Sequence, residues 1–578
     1  MVHTDSIVFG AAGFIGRSLV AELLRTGHTV TAALRAGSEH RLTTWLAGQD
    51  VDTTGLTITT TDIAEPDLAL GDSIEGVRDV YNAAALMKFG LDPDVARRVN
   101  LDGALHVLEW AARQPDLRRI VHITGYRAEA GHTDYRAGAY EASKVEADGL
   151  LRQVAADRNI PLTSANPSGV VGPGQYFGLS DLIDMLWRGT LPVLTGSADT
   201  FIPVVDLDYL TRFIVGLPTL PDTVGRSYPV LDATTPNLPE LIRLVAEHLG
   251  VRAPRFTVPA ELLLRLPRAL TKIDPETLSF ISSDRYDTSA SDEVAARLGI
   301  SQPPVGDLLR AYADRVVGTR NGTVEVARPA GFRAGTWSSG DHTAPDHVLL
   351  HGIPLDSDSW ADLADALDGS VLAADLPGLG RSAASGKSTA DWIEELLAPV
   401  RGTPVLVGHS LGTGAAVEYA LRHPDRVSRL VLIAPWFLQS QLPWLTASPL
   451  AAAVAKRLPA ARFAARLGIP NGAAIESAVA GLRRPGVARR TFAIMRSVRT
   501  DRYRAELAAK LAEVKVPVDI VVGADDPLTQ PTTHRVTTVA GAGHYPQLTH
   551  PDQVVRVILG SEKPVAGRLQ AGSSTRTA

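Results

Sequence analysis

Ser410 lies in a Gly-x-Ser-x-Gly pentapeptide, a pattern in which a serine hydroxyl can act as a nucleophile. The strand-like run Val405–Val407 precedes it and the helical run Thr413–Leu421 follows it. This order predicts a tight turn that exposes the serine oxygen above a sheet and at a helix N-terminus. The flanking glycines suit the turn because it leaves little room for side chains. The chemistry would be attack on an acyl carbon.

A carboxylate and an imidazole follow Ser410 in the chain order serine, acid, histidine, which is typical of this kind of turn. The strand-like run Val518–Val522 ends in a loop with Asp525 and Asp526, and His544 comes later, in Gly-Ala-Gly-His-Tyr-Pro. His544 would take the serine proton, while one aspartate would orient the imidazole ring and stabilise its charged form. From the residues alone, both aspartates remain candidates.

A glycine-rich turn near the N-terminus follows the first predicted strand and opens the first predicted helix. Its glycines have the spacing Gly-x-x-Gly-x-x-Gly. Glycines let the backbone turn sharply and let a pyrophosphate approach bare amides at a helix N-terminus. The pattern therefore predicts a dinucleotide site lined by Gly10, Gly13, Phe14, Ile15 and Gly16.

Arg35, at the end of the second predicted strand, bears on the choice between NAD and NADP. An acid at such a position would bind the ribose hydroxyls of NAD, whereas an arginine suits the 2′-phosphate of NADP. NADP is therefore expected rather than NAD, although Arg35 could also be an ordinary solvated arginine. Asp62 and Ile63, after the third strand, are expected to face the adenine. Ala83 lies in a run of small residues that would let the chain pass close to the cofactor.

Tyr140 and Lys144 are four residues apart in a helical segment, so they share one face of the helix. An ammonium group close to a phenol lowers the pKa of the phenol, which helps it exchange a proton with a carbonyl or an alcohol. Taken alone, such a pair is more often an exposed surface feature. In the same chain as the glycine turn, it predicts an oxidoreductase site.

Residues 1–317 resemble the extended short-chain dehydrogenase/reductase family. Besides the glycine turn and the tyrosine–lysine pair, the segments Val99–Gly103 and Asn166–Gly174 match that family. The resemblance implies that Tyr140 is the general acid/base, that Lys144 also holds the nicotinamide ribose, and that a serine or threonine binds the substrate oxygen. Many members pair through a helix bundle, which implies a homodimer.

Gly125 departs from the pattern of that family. Two adjacent hydroxyl residues usually end the strand, and the second of them is catalytic; here the pair is Thr124 and Gly125. Thr124 is the candidate substitute, although its hydroxyl starts one residue earlier. Two alternatives remain open for this half: an NADP-dependent oxidoreductase, or a domain that binds NADP without fast turnover and serves regulation or scaffolding.

Residues 323–560 resemble the α/β-hydrolase superfamily, in its capped branch. The segments Leu349–Ile353 and Asp375–Ser382 are further matches. The resemblance implies that the amides of Ile353 and Leu411 hold the oxyanion, each worth about 3–4 kcal/mol in the transition state.

The same resemblance limits the choice of the acidic residue and the class of substrate. The acid usually lies three residues after the strand-ending glycine, here Gly523, which favours Asp526 over Asp525. A serine nucleophile argues against epoxide hydrolases and dehalogenases, which use an aspartate there. Esters, thioesters, lactones and activated diketones remain.

Short apolar runs alternate with amphipathic helical patterns over residues 6–125 and again from residue 323, which predicts parallel sheets covered by helices on both faces. Residues 160–317 are expected to continue the first sheet and to add a smaller lobe, with helices at about 238–250 and 290–315. The predicted strands are Ile7–Phe9, His28–Leu34, Leu56–Thr61, Val80–Ala85, Ile120–Thr124, Val348–Leu350, Val371–Ala374, Val405–Val407, Leu430–Ile433 and Val518–Val522. A first helix is predicted at 14–26.

The predicted fold class is α/β: a Rossmann-like, doubly wound parallel sheet with a small substrate lobe, followed by an α/β-hydrolase fold with a helical cap. A polar linker is expected at 318–322, between the domains 1–317 and 323–560. The Ala-, Leu- and Arg-rich insertion at about 436–510 is typical of the cap. The tail 561–578 is expected to be disordered.

Composition excludes several classes of function. The chain has 578 residues, a net charge of −6 and interspersed charges, so a nucleic-acid partner is not expected. It has no cysteine, which removes thiolate nucleophiles and cysteine-based metal sites, and no metal ion is expected. With no targeting signal and no long unbroken apolar stretch, a cytoplasmic protein without a membrane partner is expected.

Three functional hypotheses follow. The first is a bifunctional enzyme that acts on two small-molecule substrates, with an NADP-dependent carbonyl/alcohol oxidoreductase joined to a serine hydrolase. The second is a serine hydrolase whose N-terminal domain only binds the nucleotide. The third has both domains as degenerate interaction modules, and the complete serine–acid–histidine set weighs against it.

Overall fold

The computed structural model describes residues 2–70, 74–128, 131–260, 262, 280–440 and 448–560. The chain divides into two compact units. The first comprises Met1–Ile183, Leu191–Val245 and Ala253–Ala313, and the second comprises Asp184–Thr190, Ala246–Arg252 and Asp314–Ala578. The last division falls inside the helix Val305–Gly318, just before the predicted linker.

Seven parallel strands in the described residues form the main sheet of the first unit. Their order across the sheet is Leu56–Thr60, Val30–Leu34, Ser6–Phe9, Asp79–Asn82, Arg119–Ile123, Leu162–Pro167 and Ser227–Val230. The strand order reverses beside Ser6–Phe9, so ligands are expected at the carboxyl ends of the strands around that point. The predicted doubly wound sheet is confirmed.

Apolar sequence explains why these strands lie in the centre of the unit. All residues of Ser6–Phe9 and Val30–Leu34 are buried, as expected for strands covered on both faces. Short parallel pairs join Val2–His3 to Ile74–Glu75, Gly169–Val171 to Val204–Asp206, and Leu194–Thr195 to Thr257–Val258. Among the described residues, the α-helices up to residue 318 are Phe14–Arg25, Glu39–Ala47, Pro93–Ala96, Gly103–Ala111, Ala139–Arg158, Leu179–Arg188, Leu207–Gly216, Leu238–His248, Ser289–Leu298 and Val305–Gly318.

The prediction of a single helix at about 290–315 was wrong. Two helices, Ser289–Leu298 and Val305–Gly318, occupy this stretch. Gly299 ends the first in a left-handed conformation, with φ +65°. Pro303 and Pro304 follow, and neither has an amide hydrogen to continue a helical ladder.

Eight strands in the described residues form the sheet of the second unit. Their order is Ala330–Arg333, Thr336–Gly340, Val371–Ala374, His347–Leu350, Val405–His409, Arg429–Ile433, Val518–Gly523 and Arg535–Val539. The first two pairings are antiparallel and the others are parallel. This sheet, with helices packed on it, confirms the predicted α/β-hydrolase fold.

The described part of the predicted cap is helical. Its α-helices are Pro449–Ala455, Ala460–Leu467, Ala473–Arg483, Val487–Ser497 and Asp501–Glu513. Buried apolar side chains of the first four helices pack together, and Leu355 and Tyr545 join that cluster. The remaining α-helices in the described part of the second half are Ala361–Ala366, Thr389–Leu397, Leu411–Arg422, Pro546–Thr549 and Pro551–Leu559.

Within the described ranges, no helix combines the length and the apolar character that a bilayer crossing requires. The predicted tail 561–578 lies outside the described residues.

Candidate active sites

Ser410 occupies a strained turn between the strand Val405–His409 and the helix Leu411–Arg422. Its backbone has φ +47° and ψ −113°, a conformation that L-residues rarely adopt. A Cβ at Gly408 would lie 2.7 Å from the Cα of Thr413, and one at Gly412 would lie 2.3 Å from a main-chain oxygen of the neighbouring strand. Both glycines are therefore required sterically, and the turn has the form that the spacing predicted.

His544 lies between Ser410 and Asp526. Its Nε2 is 2.9 Å from the serine Oγ, and its Nδ1 is 2.6 Å from Oδ2 of Asp526. Asp525 is exposed, and its amide donates to the carbonyl of Ala542 at 3.0 Å. The structure thus brings Asp526 to the histidine, and no hydrogen bond joins the side chain of Asp525 to it in the described residues.

Gln439 is a site residue that the sequence did not reveal. It is 2% exposed, and its Nε2 donates to Oδ2 of Asp526 at 2.7 Å and to the main-chain oxygen of Asp526 at 2.8 Å. Arg504, from the helix Asp501–Glu513, donates to the main-chain oxygens of Trp436 and Gln439 and so fixes the segment that carries this glutamine. Gln439 follows a short helical turn, Trp436–Leu438, and such a position has no signature in a single sequence.

His409, next to the nucleophile, supports the loop of His544. It is fully buried, and its Nε2 lies 2.9 Å from the main-chain oxygen of His544. Burial lowers the pKa of His409 far below its usual range, so the ring is neutral and Nε2 carries its proton as the donor. This bond fixes the backbone from which the imidazole of His544 projects.

The two predicted oxyanion residues flank the nucleophile. Leu411 is the first residue of the helix Leu411–Arg422, where amides have no partner within the helix. Ile353 follows Gly352, at which a Cβ would lie only 2.6 Å from the Cβ of Ser410. The backbone before Ile353 therefore passes directly beside the serine.

The glycine turn of the first unit forms a cradle without side chains. Gly10 has φ +77°, and a Cβ there would lie 2.8 Å from the backbone of the next strand's loop at Ala83 and Ala84. A Cβ at Gly16 would lie 2.2 Å from the oxygen of Gly10. Gly13 is the N-cap residue of the helix Phe14–Arg25, so no side chain occupies its N-terminus there. Phe14 and Ile15 begin that helix. Bare backbone and a helix N-terminus fit a pyrophosphate.

The other predicted cofactor residues follow the carboxyl ends of neighbouring strands. Arg35 is exposed directly after Val30–Leu34. Asp62 is exposed and its carboxylate accepts the amide of Ala64 at 3.0 Å, while Ile63 is buried. The amide of Ala83 donates to the oxygen of Phe9 at 3.0 Å. In a parallel sheet, these strand ends lie at one edge.

Lys144 is buried, and its Nζ donates to the main-chain oxygen of Ile123 at 2.8 Å. Burial lowers the pKa of Lys144 to about 8. The Thr124 hydroxyl donates to the main-chain oxygen of Lys144 at 3.4 Å. Tyr140, on the same helix, is half-buried. Gly125 leaves open space where a Cβ would stand, so sterics do not explain the missing hydroxyl.

Asn100 is a second polar residue whose position the sequence did not reveal. It lies in a π-helical turn, Arg97–Asp102, an element common near functional sites. Its side chain bonds both the amide and the carbonyl of Leu86, at 2.7 and 3.2 Å, and donates to Ser143 Oγ at 3.0 Å. The match at Val99–Gly103 was the available signal, although it carried no role for this side chain.

A buried ionic cluster joins the cap helix Ala473–Arg483 to the rest of the hydrolase half. Arg381 makes two bonds to Asp358, at 3.0 and 2.7 Å, and Ser477 Oγ donates to Asp356 Oδ2 at 2.7 Å. Burial, and next the charge of Asp358, raise the pKa of Asp356 to about 8. The cap therefore rests on a carboxyl group that holds a proton at neutral pH.

Both halves match family models. Residues 348–557 match the model described as alpha/beta hydrolase family, and residues 8–214 match the NAD-binding model described as male sterility protein.

Curated relatives match the hydrolase half. The pimeloyl-[acyl-carrier protein] methyl ester esterase of Aromatoleum aromaticum is 32% identical over 248 residues, 37% of this chain and 96% of that protein. The enzyme of the same name from Vibrio atlanticus is 38% identical over 106 residues, 18% of this chain and 41% of that protein.

Solved structures match the N-terminal half. The terminal R domain of the myxalamid PKS-NRPS biosynthetic pathway has a TM-score of 0.46 and 20% identity, and the match covers 56% of this chain and 92% of that one. The UDP-glucuronic acid 4-epimerase of Bacillus cereus in complex with NAD has a TM-score of 0.42 and 18% identity, over 54% of this chain and 98% of that one.

The relative from Aromatoleum aromaticum is matched along almost its whole length, and each family model covers most strands of one sheet. The chain therefore belongs to the α/β-hydrolase family in its C-terminal half, which is joined to an NAD-binding N-terminal domain of the short-chain dehydrogenase/reductase type.

Proposed function

We propose that the chain is a bifunctional enzyme whose C-terminal half hydrolyses a carboxylic ester and whose N-terminal half is an NADP-dependent oxidoreductase. The observation that carries the first activity is the chain of contacts from Ser410 through His544 to Asp526, at 2.9 and 2.6 Å. The cradle of glycines and the buried Lys144 support the second.

The hydrolysis follows from these contacts. His544 accepts the proton of Ser410 as its Oγ attacks the ester carbonyl, and the amides of Ile353 and Leu411 hold the resulting oxyanion. The proton on His544 then passes to the departing alkoxide, which leaves as an alcohol. Water repeats the attack on the acyl-serine and releases the acid. Asp526 stabilises the charged imidazole throughout.

The names of the relatives limit the class of ester that we propose as substrate. They are esterases that act on a methyl ester of a carrier-bound acyl group. We infer that a small alkyl ester of an acyl chain is the preferred class here, ahead of thioesters and lactones.

Labelling and turnover test this proposal directly. The full chain should react with a fluorophosphonate probe and hydrolyse p-nitrophenyl butyrate and methyl esters, and Ser410→Ala should abolish both the adduct and the hydrolysis. An unlabelled wild-type chain, or equal hydrolysis by the variant, would rule the function out.

In the N-terminal half, the turn Gly10–Gly16 would hold the pyrophosphate and Arg35 the 2′-phosphate of NADP. The cofactor, when bound, exchanges a hydride with the substrate. Tyr140 exchanges the proton with the substrate oxygen, and the charged form of Lys144 favours this exchange. Binding of NADPH and NADH, measured by fluorescence, tests the choice of cofactor. Arg35→Ala should weaken the binding of NADPH and leave that of NADH nearly unchanged.

A second candidate, an NADP-binding domain without turnover, is favoured by one observation. Gly125 supplies no hydroxyl, and that of Thr124 already bonds the backbone of Lys144. NADPH oxidation with a panel of ketones separates the two candidates when wild type is compared with Tyr140→Phe. Faster oxidation by wild type supports the oxidoreductase, whereas equal, background rates together with tight NADPH binding support the second candidate.

A further inference from the structure

Three phenylalanines gather beside Tyr140, and we call them the phenylalanine cluster. The ring of Phe89 lies edge-on to that of Tyr140, with 6.1 Å between their centroids. The rings of Phe177 and Phe280 lie 5.3 and 5.4 Å from that of Phe89. An apolar surface therefore packs against one side of the Tyr140 ring, whose hydroxyl exchanges the proton.

Part of this apolar surface is open to solvent. Phe177 is 40% exposed, and Phe89 and Phe280 are only partly buried. Single exposed apolar residues need no explanation, but contiguous ones beside a reactive group mark a binding surface. A ligand that covers these side chains would remove them from water.

The loop that carries Phe89 is held in place by buried polar bonds. Asn100 bonds both the amide and the carbonyl of Leu86, and Ser143, on the helix of Tyr140, accepts from Asn100. The phenyl ring and the phenol are thus positioned by one network. This arrangement suits a substrate whose apolar group and oxygen are a fixed distance apart.

The charge of the arginine near the cluster is already balanced by a carboxylate. Arg127 pairs with Glu141 at 2.7 Å, and its guanidinium lies 5.6 Å from the ring centroid of Phe280. A nucleotide sugar would need cations for its diphosphate and hydrogen-bond partners for its hydroxyls. Phenyl rings supply neither.

We propose that the phenylalanine cluster binds the apolar substituent, aryl or alkyl, of a carbonyl compound or alcohol whose oxygen contacts Tyr140. This substrate class rests on the oxidoreductase function proposed above. Burial of a phenyl group against such a surface corresponds to a roughly ten- to hundred-fold gain in kcat/KM over a small analogue.

The experiment uses the full chain with NADPH and a matched pair of ketones, 4-phenyl-2-butanone and 2-butanone, with UDP-glucose as a third ligand. Wild type should prefer the phenyl ketone by roughly ten- to hundred-fold. Phe89→Ala should lower that preference about tenfold. Phe256→Ala is the matched control, because Phe256 is an exposed phenylalanine outside the cluster.

Saturation-transfer NMR of the same ligands, with wild type and Phe89→Ala, separates this proposal from the proposed function. Phenyl-ketone binding that depends on Phe89, without NADPH oxidation, would support the cluster and refute turnover. Turnover whose phenyl preference survives Phe89→Ala, or stronger binding of UDP-glucose than of the phenyl ketone, would overturn the cluster and leave the oxidoreductase standing.

Discussion

Gln439 donates its side-chain amide to Oδ2 of Asp526 at 2.7 Å, and the same oxygen lies 2.6 Å from Nδ1 of His544. The glutamine also bonds the main chain of the aspartate, so it fixes both the backbone and the carboxylate. Gln439 is therefore a positioning residue, which acts on the reaction only through the orientation of Asp526.

Gln439→Leu should lower kcat for p-nitrophenyl butyrate about tenfold with little change in KM, because an unanchored carboxylate orients the imidazole less often. Steady-state kinetics measure both constants. Gln530→Leu is the matched control, since Gln530 is exposed. Equal rates for the two variants would show that the contact to Asp526 has no role in the reaction.

The two neighbouring aspartates should respond very differently to amidation. Asp526→Asn should lower kcat by about 10⁴, because an amide cannot stabilise the imidazolium and favours the wrong tautomer of His544. Asp525→Asn should stay within about twofold of wild type, since Asp525 is exposed and makes no side-chain bond to His544. Ester hydrolysis measures this, and the opposite ranking would move the acid to Asp525.

Gly125→Ser should raise the rate of NADPH-dependent ketone reduction several-fold. The substitution adds a hydroxyl at the position where short-chain dehydrogenases/reductases usually have their catalytic hydroxyl. A Cβ at Gly125 meets open space, so the melting temperature should stay within a few degrees of wild type.

Gly149→Ser is the matched control, because Gly149 also faces open space and lies on the helix Ala139–Arg158. The rate for this control should equal that of wild type. A folded Gly125→Ser chain without faster reduction would indicate that the missing hydroxyl does not limit this half.

Asp356 should make the hydrolase half less stable as the pH rises. Its pKa is about 8 in the folded chain, against an ordinary 3.8, so the folded chain keeps a proton that the unfolded chain releases above pH 4. The contribution is therefore complete below about pH 4 and is lost as the pH rises towards 8. Asp356→Asn should remove this dependence, because an amide does not titrate in this range. The amide still has an oxygen that can accept the hydrogen bond from Ser477.

Scanning calorimetry of the full chain at pH 5 and pH 9 measures the effect. The melting temperature of the hydrolase transition should fall more between these pH values in wild type than in Asp356→Asn. Asp368→Asn, which changes an exposed aspartate, should behave as wild type. An unchanged pH dependence in Asp356→Asn would show that this carboxyl is not the group responsible.

Short spacings allowed prediction of the two turns, because each depends on residues within one strand–helix junction. The glycines around Ser410 and those from Gly10 to Gly16 allow backbone to approach closely where a Cβ would clash, which constrains the local sequence. The strand Arg535–Val539 was missed because it is mostly exposed and has no continuous apolar run. A hairpin, Ala330–Gly340, was missed because its strands have small and polar residues.

Contacts between distant residues could not be predicted. Gln439 meets Asp526 across 87 residues, and Asn100 meets Ser143 across 43. Neither glutamine nor asparagine has a spacing that signals such a partner. The phenylalanine cluster is of the same kind, because its rings come from three separate segments.

The cap has a consequence for redesign of the enzyme. The strands Arg429–Ile433 and Val518–Gly523 pair directly, and both Gln439 and Arg504 lie outside the stretch 448–497. That stretch can be exchanged for the equivalent part of a relative while the sheet register and the contacts of Gln439 and Arg504 stay native. A graft should retain the serine at position 477, which bonds Asp356, and the chimera would then test how far acyl-chain preference is portable.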